Sequence, residues 1–338
     1  RSASGCSGRL AVLRCWNFSA CPPRQPSRIE NAMRLTAVIP TRNRPADLGK
    51  AVASVLAQTR LPDTLMIVDQ SPGDESRLAV ESQLAGGASL RLDYVHDTAI
   101  TGLVDAKRVA AGRADGDVVC FLEDDIVLEA DFFEQIERGF VERPEMLGCC
   151  GVVTNLPPLP AFYVTLFHLF HRGMFADRRV GIHGFANGRG QALIASDYLS
   201  GGLSAYRREV FAAVPFDTVN ELFMTEDIDF STRAARHFGA HFFINPNARL
   251  AHHMSPVNRA AIGARQRRKA REFFVFYKKR RTGLADGMAF AWLLCGLAIE
   301  ACFAAARYRR MGALAGFFAG IGDGMGWRVR EIAGRDRA

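Results

Sequence analysis

Val118-Val-Cys-Phe-Leu-Glu-Asp-Asp-Ile-Val-Leu128 begins as an apolar run suited to a buried strand, then breaks into three adjacent acids, Glu123, Asp124 and Asp125. Carboxylates crowded at the end of such a strand repel one another, and removing them from water is costly without a counter-charge. A divalent cation with oxygen ligands, Mn2+ or Mg2+, itself bound to phosphate, meets both demands. Side chains alternate along a strand, so Glu123 and Asp125 share one face and form the expected metal pair, while Asp124 takes the other. The purely structural alternative is an acidic turn feeding a helix N-terminus.

Working outward, strand and helix patterns alternate. Leu35-Thr-Ala-Val-Ile39 is an apolar strand closed by Pro40, and Asp47 to Gln58 carries Leu48, Val52, Val55 and Leu56 on one helical face. Leu65-Met-Ile-Val68 is a second strand, ending at Asp69 before the turn Ser71-Pro-Gly-Asp74. Arg91 to Val95 gives a third, and a helix from Gly102 to Arg113 leads into the acidic strand. This succession predicts an α/β fold with a mostly parallel sheet flanked by helices. Ligands of such sheets bind beyond the carboxyl ends of the strands, where Thr41, Asp69 and Asp125 all fall. Further along, Glu226 and Asp227 open a helical pattern that runs to Phe238 and stops at Gly239.

Composition separates a core from its attachments. With 338 residues, 49% of them hydrophobic, the chain can bury a sizeable core. The formal net charge of +8 is local: Arg259 to Arg281 holds ten basic residues against one acid, Glu272, an excess larger than that of the whole chain. No nucleic-acid-binding motif accompanies it, so the segment points to anionic lipid or a phosphorylated ligand and not to nucleic acid. The 8 cysteines form no C-x-x-C pair and no zinc spacing, which implies a reducing compartment. His168 and His171 share a helix face but have no third ligand in sight. Residues 1–32, rich in Arg, Ser, Pro and Cys, read as a disordered or non-native leader, with Met33 directly before the first strand.

Two apolar stretches, 287–306 and 311–327, follow the basic segment, and Gly312, Gly316 and Gly320 repeat at the spacing of close helix packing. Basic clusters stand before, between and after them. A spanning hairpin would drag one cluster across the bilayer, so helices lying in the cytoplasmic interface fit better. A helical appendage packed on the domain is the other reading.

Five blocks carry a resemblance: Val38-Ile-Pro-Thr-Arg-Asn43-Arg-Pro, Val68-Asp-Gln-Ser71, Thr101-Gly-Leu-Val-Asp-Ala-Lys107, Phe121-Leu-Glu-Asp-Asp125, and Ser200-Gly-Gly-Leu-Ser-Ala-Tyr-Arg207 continued by Thr225-Glu-Asp-Ile-Asp229. In this order they resemble bacterial inverting family-two glycosyltransferases of the GT-A, Rossmann-like fold. The resemblance implies a catalytic domain over 33–255, and the basic clusters and apolar stretches of 256–338 add a helical region that associates with a membrane. It assigns Pro40, Thr41 and Arg42 to the base and ribose of a nucleotide-sugar donor, and Asp69 to the base imide N–H. Lys107, Asp124, Gly201 and Gly202 would also serve the donor. Glu123 and Asp125, joined by His252, would hold the metal. Asp227 would be the general base and Glu226 would bind or orient the acceptor. Two departures stand out: Glu123 replaces the commoner Asp, and Lys107-Arg108 replaces Arg-Asn. The resemblance implies a metal-dependent enzyme that adds sugar to a glycan or lipid-linked acceptor in cell-surface polysaccharide synthesis. It would work at the cytoplasmic face of the plasma membrane as a peripheral or monotopic protein. Lack of a Gln-x-x-Arg-Trp sequence implies non-processive transfer. The alternatives are a sugar-phosphate nucleotidyltransferase, which should show a Gly-rich loop where Pro40-Thr-Arg-Asn43 stands, and a non-catalytic, membrane-bound glycan-binding scaffold.

Overall fold

Strand β1 (Leu35–Thr41) is buried at every position, as a strand covered on both faces must be. It lies between β2 (Thr64–Asp69) and β4 (Val118–Leu122), both parallel to it, and β3 (Arg91–His96) adds in parallel outside β2. Helix α1 (Pro45–Leu56) buries Leu48, Ala51, Val52 and Val55, one face at helical spacing, and packs on α2 (Glu75–Leu84). Helix α3 (Leu103–Arg113) packs on β1 and β2. The computed structural model describes residues 33–332 apart from 88, 157–159, 178–189 and 256–260. The leader expected over 1–32, and Arg259 of the basic segment, lie outside the described residues.

Beyond β4 the sheet changes character. β8 (Leu203–Arg207) runs antiparallel to β4, β6 (Gly148–Val153) antiparallel to β8, and β9 (Phe242–His252) parallel to β6. The short β5 (Ile126–Leu128) closes the edge antiparallel to β9, and the two-residue β7 (Ile194–Ala195) also pairs with β9. The parallel expectation therefore describes the β3-β2-β1-β4 side, and the whole is a mixed sheet. Helices α4 (Phe132–Glu142), α6 (Glu209–Ala213) and α7 (Glu226–Phe238) complete this part of the chain.

The basic segment is an amphipathic helix, α8 (Ile262–Arg280), which buries Ala270, Glu272, Phe273, Val275 and Phe276. Helix α9 (Leu284–Tyr308) adds Phe290, Leu293 and Leu297 to the same apolar cluster, and α10 (Gly312–Gly326) adds Phe317. The glycine repeat works inside the chain: a Cβ on Gly316 or Gly320 would run into the carbonyls of Gly263 and Arg267, so α10 lies backbone to backbone on α8. Part of the basic charge is also consumed internally. Arg267 pairs with Asp323, Lys269 with Glu300, and buried Lys279 with both Asp217 and Asp229.

Much of what α9 and α10 turn outward is apolar. Met288, Trp292 and Phe303 of α9, and Phe318 and Met325 of α10, are exposed; so are Phe162 and Leu169 of α5 (Ala161–Phe170). Trp292 Nε1 donates to the Leu169 carbonyl at 2.6 Å, tying α5 to α9. With 25 residues and an 18-residue stretch of mean hydropathy 1.9, α9 is the one helix among the described residues long and apolar enough to cross a membrane. Helix α10, with 15 residues, would reach only about 22 Å.

Candidate active site

The acidic triplet leaves β4 in mid-sheet and is carried to the far edge, where Ile126 pairs with His252. That register places the His252 imidazole between the first and last acids of the triplet. Its Nε2 stands 3.0 Å from Glu123 Oε2 and 3.0 Å from Asp125 Oδ1. One ligand atom from each of the three residues lies within 4.8 Å of the others, the only such group among the described residues. Hydrogen bonds to Asp125 and Glu123 push the His252 pKa up to about 10, so its positive charge balances the two carboxylates. Burial alone would raise the Asp125 carboxyl, but His252 and the Ser255 N–H (2.7 Å to Oδ2) bring it down to about 2. Once the His252 proton is released, two carboxylates and an imidazole are a donor set that suits Mn2+.

Asp124 turns the other way, in the turn between β4 and β5 and not within a strand. Its Oδ2 accepts from Thr41 Oγ1 at 2.8 Å and its Oδ1 from Arg44 at 2.9 Å. Burial raises its pKa, and these two partners work against that. Both oxygens are thus engaged by residues at the end of β1. Asp69 is fully buried, with Oδ1 taking the Ser71 N–H at 2.9 Å and Oδ2 the Tyr94 hydroxyl at 2.7 Å. Pro40 is buried in β1 while Arg42 is exposed just past it. Asn43 adopts a left-handed backbone (φ 58°) and donates its N–H to Ser71 Oγ at 2.8 Å, which ties the β1 and β2 ends together.

A second acidic centre forms where α7 begins. Lys107, on α3 and only 3% exposed, donates to Glu226 Oε1 at 2.6 Å and to the Gly201 carbonyl at 2.9 Å. Burial raises the Glu226 carboxyl, Lys107 opposes this, and neighbouring Asp227 adds to it. Asp227 is partly exposed and accepts from the Gly201 N–H at 3.2 Å and the Ile228 N–H at 2.8 Å. The two glycines separate the centres. A Cβ on Gly201 would fall 2.8 Å from Lys107 Nζ and 2.9 Å from Asp227 Cβ, and one on Gly202 would strike the Glu123 side chain. Neither glycine has a positive φ, so the requirement is space, not backbone freedom.

The structure therefore brings Glu123, Asp125 and His252 together, and gathers Lys107, Gly201, Glu226 and Asp227 beside them. The histidine pair on α5 forms no site. His171 stacks on Phe167 at 3.6 Å, and burial pushes its pKa down to about 4. Sequence reasoning missed Arg44, although it sits inside the first quoted block. It also missed Glu272 of α8, which accepts from the backbone N–H groups just before Glu226. The signal for Glu272 was available: it is the lone acid in the basic run.

Residues 36–214, more than half of the chain, match the family model described as Glycosyl transferase family 2. No curated protein matches the chain. Among solved structures, the mannosyltransferase PcManGT from Pyrobaculum calidifontis, in complex with GDP-Man and Mn2+, is similar with a TM-score of 0.57 and 17% identity over 88% of each chain. GalNAc-T7 with UDP, GalNAc and Mn2+ is similar with a TM-score of 0.51 and 14% identity, over 80% of this chain and 57% of that one. At these identities the likeness is one of fold, and the fold is of the GT-A type.

Proposed function

From the premise that this chain belongs to glycosyl transferase family 2 and is a glycosyltransferase, we propose an inverting, non-processive enzyme. It moves one sugar from a nucleotide-sugar donor to a glycan or lipid-linked acceptor in cell-surface polysaccharide synthesis. The observation that carries this reading is the meeting of Glu123, Asp125 and His252 beside the Glu226-Asp227 helix start, at the carboxyl ends of the parallel strands. Glu123, Asp125 and His252 would hold Mn2+ or Mg2+, which when bound supplies positive charge against the donor diphosphate. Both similar structures hold Mn2+, which favours that ion.

The remaining work falls to the chain itself. Pro40, Thr41, Arg42 and Asp69 bind the base and ribose, and Asp124 contributes by fixing Thr41 and Arg44. Gly201 and Gly202 leave room for the sugar. Lys107 keeps Glu226 in place through the buried ion pair, and Glu226 orients the acceptor. Asp227, held by the Gly201 and Ile228 N–H groups, takes the proton of the acceptor hydroxyl as that oxygen attacks the anomeric carbon. The nucleoside diphosphate leaves from the opposite face, so the configuration inverts. Residues 33–255 form the catalytic domain in this reading. The exposed apolar faces of α5, α9 and α10 rest in the cytoplasmic interface of the plasma membrane, with Arg307, Arg309 and Arg310 meeting anionic headgroups.

The test is turnover across a panel of nucleotide-sugars with and without Mn2+ or Mg2+, reading the anomer of the product by NMR. Metal-dependent transfer with inverted configuration is expected. Retained configuration would refute the single-displacement chemistry, and absence of transfer or donor hydrolysis with every donor would refute the functional reading.

A further inference from the structure

The start of α7 does not hold itself in place. No side chain of its own caps the helix. The loop that delivers Glu226 and Asp227 is instead gripped from α8, an element outside the span that matches the family. Glu272 is fully buried, and its Oε2 accepts from three successive backbone N–H groups: Phe223 at 3.0 Å, Met224 at 2.6 Å and Thr225 at 3.0 Å. The Thr225 hydroxyl adds a fourth bond at 3.3 Å. One residue earlier on the helix, Arg271 donates to the Glu221 carbonyl at 2.8 Å and lies 3.5 Å from the Glu221 carboxylate. Glu221 is one of three described non-glycine residues with positive φ, at 53°. Arg268, one turn back, stacks over the Phe223 ring at 5.0 Å.

The chemistry is matched along the loop. A cation meets the carbonyl that points out of it, and an anion meets the N–H groups that follow. The Phe223 and Met224 N–H groups lead into the N-cap Thr225, at the positive end of α7, where a carboxylate is favoured and where the Thr225 N–H would otherwise be buried unpaired. Helix α8 is itself fixed, because α10 lies against it through Gly263, Gly316 and Gly320. The clamp therefore has a rigid base.

We propose that Arg271 and Glu272 are positioning residues, which set the place of Asp227 relative to the acceptor through the loop 221–225. The proposal rests on the reading of Asp227 as general base. Neither residue touches substrate in it. A displacement of about 1 Å in a reacting group can cost roughly 10²-fold in rate, so a loosened loop should register in kcat before it registers in donor affinity.

The test uses the full chain. Glu272→Met keeps the side-chain volume but removes the acceptor, and Glu272→Gln keeps an acceptor oxygen in the same position. Expected for Glu272→Met are a fall in kcat of about 10-fold or more and faster amide exchange at 223–225. Its Kd for the Mn2+ nucleoside diphosphate should stay within about twofold, and Glu272→Gln should recover most of the turnover. An unchanged kcat, or a parallel loss of kcat and diphosphate binding, would overturn the proposal, as would a Glu272→Gln variant as slow as Glu272→Met. Should Glu272→Met fail to fold, Arg271→Ala at a partly exposed site makes the same division. A lowered kcat with unchanged Kd supports the clamp, and an unchanged kcat overturns it. Asp227→Asn is measured alongside. A near-normal Asp227→Asn overturns the premise about the base, whereas a slow Asp227→Asn beside a near-normal Glu272→Met overturns the clamp alone.

Discussion

Gly202→Ala is the sharpest test of the carboxylate arrangement, because it adds one methyl group and removes no ligand. The added Cβ would lie closer than 3.0 Å to three atoms of Glu123, its Cγ, Cδ and Oε1, whereas carbon contacts settle at about 3.5–4.0 Å. Glu123 must therefore move by about 1 Å or swing to another rotamer. Its side chain is 38% exposed, so solvent accommodates the swing, and Gly202 has no positive φ for alanine to resist. Fold stability should change by less than about 1 kcal/mol. Metal affinity should not survive so well. Disturbing the support of a metal site costs roughly 10–100-fold, and displacing a ligand belongs at the upper end, about 2.7 kcal/mol. Calorimetry with Mn2+ in the presence of nucleoside diphosphate, beside a thermal melt, measures both quantities. Asp125→Ala provides the reference for a fully lost ligand and should abolish metal-dependent donor binding with the fold intact. If Gly202→Ala bound Mn2+ as tightly as the parent, or lost affinity only by unfolding, Glu123 would not be a metal ligand.

Asp227→Asn should leave diphosphate binding unchanged and cut kcat by about 10²-fold or more, read as steady-state turnover. Lys279→Met strands buried Asp217 without its cation and leaves Asp229 with Arg233 alone, and should destabilise the fold by about 3 kcal/mol, seen as a lower urea midpoint. Burial tends to raise the Asp217 carboxyl, but Lys279 and Asn220 pull it below its ordinary 3.8. The stability from this pair is thus complete above pH 3.8 and fades as pH falls through the depressed value, a loss that acid titration of the Lys279→Met variant should lack. For the membrane reading, Met288→Glu, Trp292→Glu and Phe303→Glu combined should abolish co-sedimentation with anionic liposomes while sparing diphosphate binding; unchanged sedimentation would refute it. Deleting α9 and α10 outright is a poorer test, because it would uncover Phe273 and Phe276 on α8.

Legibility in the sequence followed the physics of each element. Strands such as Leu35–Thr41 and Val118–Leu122 announce themselves because a parallel strand is apolar on both faces. The mixed half was hidden: β5 is three residues long, and its pairing with β9 is invisible to any local pattern. Asp124 does part from Glu123 and Asp125, but the three lie in the turn between β4 and β5 and not in the strand that the alternation argument assumed, and only the remote pairing brings His252 between the outer two. Helix α8 was obscured by its own charge, since its eight basic residues outweigh Phe273 and Phe276 in any reading of composition. The lone acid in that run marked the face that turns inward. Lys107 and Glu226 could each be named from a motif, yet their ion pair joins α3 to the start of α7 across more than a hundred positions of sequence.

The pairing of Ile126 with His252 has a bearing on how the chain is made. Its two partners are more than a hundred positions apart, so the contact is of high sequence separation and can form only once residue 252 has been made. A ribosome-bound chain that has released only the β1 to β4 strands carries the acids but no imidazole between them. Cation capture is then coupled to completion of the sheet edge. An ion present at about 100 times its Kd adds about 2.7 kcal/mol to the closed form alone. Refolding with and without Mn2+ would therefore follow the docking of β5 on β9, with the divalent ion acting as the reporter of the last strand to join.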